Sequence, residues 1–69
     1  MSDMKMRALE YVQNAAGGAT LDSFLEDHEP IGSLLWRDLS LAGFVLHAAD
    51  GRVMLTDAGR AAIAKATGA

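Results

Sequence analysis

The stretch Pro30 to Arg60, PIGSLLWRDLSLAGFVLHAADGRVMLTDAGR, shifts its hydrophobic period from helical to extended and back, and its reading decides the fold. Ile31, Leu35, Leu39 and Ala42 form one stripe at helical spacing, suited to packing on two preceding helices. Pro30 fits the first turn of that helix, where a missing N–H breaks no bond, and Gly43 ends it. From Phe44 the period becomes two. Asp50-Gly51 is a strong signal for a two-residue type I′ hairpin turn, which needs positive φ at both central positions. Such a turn pairs Ala49 with Arg52, Ala48 with Val53, His47 with Met54 and Leu46 with Leu55. It sends Leu46, Ala48, Val53 and Leu55 inward, and His47, Ala49, Arg52 and Met54 outward. Thr56 then caps a last helix, with Asp57 at the positive end of its dipole.

Upstream, Met4, Ala8, Leu9, Tyr11, Val12, Ala15 and Ala16 share one arc of a first helix, opposite Arg7, Glu10, Gln13 and Asn14. Ser2 or Asp3 caps its start, and Gly17-Gly18 stops it. Thr20 caps a short second helix whose Leu21, Phe24, Leu25 and His28 follow the i, i+3, i+4, i+7 rule. Asp22, Glu26 and Asp27 occupy its other face, and with Glu29 they make the most acidic part of the chain; a solvated helix face is their simplest reading. Only a tight turn fits between Asp27 and Ile31, so the second and third helices form a helix-turn-helix. Downstream, Gly59, Ala62, Ile63 and Ala66 make a small-residue stripe that permits close packing on the first helix or across a dimer, and Thr67 to Ala69 fray. The expected architecture is one mainly α domain with a β-hairpin, in the order α-α-α-β-β-α. Its helices span about 3–16, 21–27, 31–42 and 57–66, and its hairpin about 44–55.

Composition narrows the function. The chain has 69 residues, enough for one small domain whose thin core makes self-association a reasonable source of extra burial. It has no cysteine, which excludes disulfides, thiolate metal sites and a catalytic thiol, and points to the cytoplasm. No apolar run approaches the roughly 18 residues of a membrane span. The net charge of −3 means that any nucleic-acid site must be a local concentration of the six basic residues, because phosphate neutralisation supplies most of such affinity.

The order of elements, together with Asp38-Leu39-Ser40-Leu41-Ala42-Gly43-Phe44-Val45, Asp50-Gly51-Arg52 and Leu55-Thr56-Asp57-Ala58-Gly59-Arg60, resembles the winged helix-turn-helix domain of bacterial and archaeal regulators of the MarR, PadR and ArsR type. The resemblance covers nearly the whole chain. It implies a third helix that enters the DNA major groove and a basic wing tip at the backbone. On matching positions it implies Ser33, Trp36, Arg37 and Ser40 as the groove-facing set, Arg52 as the wing contact and His47 as an added contact from the wing's outer face. An arginine there can read guanine through its bidentate fork.

The chain departs from that pattern on its third helix, where Arg37 is the only cation and Asp38 stands beside it. Trp36 reads either as a partly buried core-edge ring or as an exposed anchor. In the second case, with Leu34 and Leu41 at the edges, it suits a protein surface. Two functions are therefore expected: a small DNA-binding regulator of double-stranded DNA, acting as a homodimer, or a winged-helix module that binds another protein through Trp36, Arg37 and the acidic second helix. An enzyme is not expected, since His28 and His47 stand in no triad or metal-ligand spacing. Neither a cofactor nor a small-molecule substrate is indicated.

Overall fold

The computed structural model describes residues 3–15 and 18–66. These form α1 (Asp3–Ala15), α2 (Leu21–Asp27), α3 (Gly32–Leu41), β1 (Val45–His47), β2 (Val53–Leu55) and α4 (Asp57–Ala66). Helices followed by an antiparallel hairpin and a final helix are compatible with a winged-helix-like fold. The expected roles of Ser2, Ala16, Gly17 and Thr67 to Ala69 lie outside the described residues. At the end of α1, the Gly18 N–H donates to the Ala15 carbonyl.

Side chains start α2 and α4, and a left-handed glycine ends α3. Thr20 and Ser23 form a reciprocal capping box on α2: each side-chain oxygen accepts the other residue's backbone N–H at 3.1 Å. Gly43, at φ +79°, ends α3 in a Schellman motif, with the Gly43 N–H on the Ser40 carbonyl and the Phe44 N–H on the Leu39 carbonyl. Thr56 caps α4 by accepting the Gly59 N–H at 3.0 Å, and its hydroxyl donates to the Gly43 carbonyl. The two ends joined by that threonine fix α4 relative to the C-terminus of α3.

The core draws one large, fully buried side chain from each of four elements: Leu9 of α1, Phe24 of α2, Leu39 of α3 and Val53 of β2. Ala8, Val12, Ala19, Leu35, Val45 and Ile63 complete it. Burying a side chain of the larger kind is worth about 1.5–3 kcal/mol. The helical arcs read from the sequence hold at their centres and fail at their ends. Met4 and Ala42, expected inside, are exposed: Met4 stands in the first turn of α1 and Ala42 is the residue that closes α3. Met6, which the arc left out, packs against the core. Pro30 lies in the turn before α3 and not in its first helical turn; Ile31 is the residue that flanks the helix start.

The hairpin forms, with a register one residue away from the expected one. Val45 pairs with Leu55, Leu46 with Met54 and His47 with Val53. The Gly51 N–H donates to the Ala48 carbonyl and the Ala48 N–H to the Arg52 carbonyl, leaving a three-residue loop, Ala49-Asp50-Gly51. Gly51 adopts φ +89°, and the Asp50 carboxylate accepts the Arg52 N–H. A tight turn followed by one left-handed glycine is the second common hairpin solution, and Asp-Gly serves it as well as type I′. The slip exchanges the faces of β1. Val45 is buried, whereas Leu46, expected inside, is exposed beside Met54.

β2 also pairs on its other edge. The Val53 N–H donates to the Ala19 carbonyl, and the Leu21 N–H to the Gly51 carbonyl, so the residues leading into α2 add a short antiparallel bridge.

Candidate interaction surface

Because Leu35 and Leu39 face the core, α3 turns Ser33, Leu34, Arg37, Ser40 and Leu41 toward solvent. Leu34 is 51% exposed and Leu41 80%, so the helix offers an apolar ridge with one cation on it. The Arg37 guanidinium stands 3.7 Å from the Asp38 carboxylate, which also lies 3.8 Å from the Lys5 ammonium. At the hairpin loop the Arg52 guanidinium lies 3.6 Å from Asp50. Both arginines are exposed, and pairs of this kind are worth about 0–1 kcal/mol. Each arginine of the sequence-derived site thus has an acid beside it.

Trp36 and His47 lie side by side, but only Trp36 leaves the exposed set; His47 stays exposed on β1. Trp36 is half-buried, its ring edge-on to Phe24 at 5.4 Å and to His47 at 6.5 Å. The register slip brings this about, since it moves His47 from the expected outer face to the side of β1 that it shares with buried Val45. The Trp36 ring closes the core between α2, α3 and β1. Its reading as an exposed anchor is therefore corrected to that of a core-edge residue, while Ser33, Arg37, Ser40, His47 and Arg52 remain on the surface.

A ring cluster continues across Phe24 to α1. His28 stacks on Phe24 at 4.3 Å, Tyr11 meets both rings edge-on, and the His28 Nδ1 lies 2.7 Å from the Phe24 carbonyl at the end of α2. The Tyr11 hydroxyl donates to the Asp27 carboxylate at 2.6 Å. That hydrogen bond raises the phenol's pKa above its ordinary value; the one to Ser23 opposes the rise, and partial burial adds to it. The sequence places Asp27 on a solvated face or a partner-binding acidic helix, and nothing in the helical pattern signals that Tyr11 reaches it from another helix.

Other clefts are less suited to chemistry. A groove of about 290 Å³ runs between α1 and the turn before α3, lined by Met4, Ile31 and Leu35, with Arg7 opposite Asp27 and Glu29. Among the described residues no polar or charged residue is buried, and no group of three or more His, Asp or Glu side chains is placed to hold a metal ion. None of their helices is long and apolar enough to cross a membrane. Comparison with protein-family models, curated proteins and solved structures finds no match.

Proposed function

We propose that the chain is a winged-helix module that binds another protein through the outward side of α3. The observation that carries this is the exposure of Leu34 and Leu41 on the same helical side as a single cation already paired with Asp38. Apolar area with one arginine is the composition of a protein interface core, whereas a duplex-binding helix needs several uncompensated donors. The partner offers an apolar ridge flanked by charges complementary to Arg37 and Asp38.

A second reading, a DNA-binding regulator of the MarR, PadR or ArsR type, is favoured by the exposure of Ser33, Arg37, Ser40 and Arg52. In it α3 faces the major groove and the 49–52 loop meets the backbone. The ion pairs of the two arginines are weak enough to yield to phosphate.

Titration of a labelled mixed-sequence duplex at low salt decides between the two. Protein binding through α3 predicts no saturable association. Saturable binding that weakens with salt, and that Arg37→Ala and Arg52→Ala each reduce with a flatter salt slope, overturns it in favour of DNA.

A further inference from the structure

We propose that the outward side of α3 pairs with the same side of α3 in a second copy of the chain, the two helices running parallel about a two-fold axis. The proposal rests on the protein-binding reading and names its partner. Leu34 and Leu41 are seven residues apart, so on a helix they lie within roughly 20° of one line. Arg37 and Asp38 fall at the level between them, roughly 50° to either side of that line. The Arg37 side chain is 64% exposed and that of Asp38 40%, so both flanks are reachable from solvent.

A two-fold interface uses one patch twice and must be complementary to itself. In a parallel pair, residues on the central line meet their own counterparts, and each flank meets the opposite flank. Leu34 then packs on Leu34 and Leu41 on Leu41, while Arg37 of each copy faces Asp38 of the other. An antiparallel pair sets Arg37 against Arg37 and Asp38 against Asp38, which repel. Charge therefore selects the parallel arrangement, and the apolar line drives it. Within one copy Asp38 lies between Arg37 at 3.7 Å and Lys5 at 3.8 Å; both contacts are exposed and weak, so exchanging the one to Arg37 for the contact between copies costs little while Lys5 keeps its place. One short helix per copy buries less than the roughly 1,200 Å² at which stable interfaces begin, so the dimer is weak and forms with rising concentration.

Sedimentation velocity across the micromolar to millimolar range tests this. The expected result is a mass-average that climbs from monomer toward dimer. Leu41→Glu stays monomeric with an unchanged circular dichroism spectrum. Arg37→Asp also loses the dimer, and adding Asp38→Arg to it restores the dimer with the charges exchanged. Because the chain has no cysteine, Leu41→Cys provides a geometric check. Mild oxidation joins it to its own counterpart many times faster than it joins the α2 surface control Asp22→Cys. A monomer at every concentration, a dimer indifferent to Leu41→Glu, or a charge exchange that fails to restore association overturns the self-pairing. In each of those cases the protein-binding reading stands or falls separately, by the duplex titration.

Discussion

Gly59 of α4 sits so close to the backbone of Phe44 that a Cβ on it would lie 2.1 Å from the Phe44 carbonyl oxygen and 3.1 Å from the carbonyl carbon. That carbonyl cannot swing aside, because it accepts the Thr56 N–H at 3.0 Å. Gly59→Ala must move α4 off the strand connection and is expected to cost about 1–3 kcal/mol. Thermal unfolding followed by circular dichroism reads this as a lower midpoint, and an unchanged midpoint would show that α4 has room to spare. Gly43→Ala provides the contrast: nothing lies within 4 Å of its added Cβ, so its cost, about 1–2 kcal/mol, comes from the positive φ alone.

The observed register of the hairpin makes Val45 and Leu46 exchange the importance that their sizes suggest. Val45→Ala removes buried methyl groups opposite Leu55 and is expected to cost about 2 kcal/mol. Leu46→Ala, on the exposed side, is expected to change stability by no more than about 0.5 kcal/mol. Urea unfolding of the two variants checks the pairing directly, since the register with Leu46 opposite Leu55 requires the reverse order of effects.

These two positions also mark how far the sequence could be read. The order of elements and most of their bounds were legible because Thr20, Gly43 and Thr56 are local signals, each satisfied within a few residues by a backbone partner. Asp50-Gly51 announced a turn without its length, because a left-handed glycine serves a two-residue and a three-residue loop alike. One residue of ambiguity there changed the faces of β1, and with them the expected surroundings of His47 and Trp36. The bridge between Ala19 and Val53 and the reach of Tyr11 to Asp27 join segments far apart in sequence, and no local period encodes such contacts. On the candidate surface, the exposure of Ser33, Arg37 and Ser40 followed from helical spacing. The acid beside each arginine was visible as sequence adjacency, and its geometry was not.

Tyr11 and Asp27 give the fold a pH dependence on the alkaline side. The hydrogen bond favours the neutral phenol, so the folded-state pKa lies above that of the unfolded chain, which is about 10. A raised pKa contributes stability that is fully present below the unfolded value and is lost as pH rises through the folded one. Tyr11→Phe is therefore expected to be less stable than the parent at neutral pH, by under about 1 kcal/mol because water screens the exposed pair. The gap narrows as the solution becomes more alkaline than the phenol's pKa. Urea midpoints of the two proteins at neutral and strongly alkaline pH test this, and the lysines cancel in the comparison. A constant difference at both pH values would assign the effect of Tyr11 to packing and not to its hydroxyl.

Trp36 separates a structural role from a binding one. Its ring touches Phe24 at the centre of the core and His47 on β1, so Trp36→Ala opens a gap where α2, α3 and the hairpin meet. A fully buried tryptophan truncated in this way costs about 3–5 kcal/mol; half-burial brings the expectation here to roughly 2 kcal/mol. Leu41→Ala, on the most exposed apolar residue of α3, is expected to leave stability within about 0.5 kcal/mol. Far-UV circular dichroism in urea measures both without relying on the indole as a probe. If instead Trp36→Ala keeps full stability, the ring is free to leave the core edge and must be counted with Leu34 and Leu41 as part of the binding side of α3.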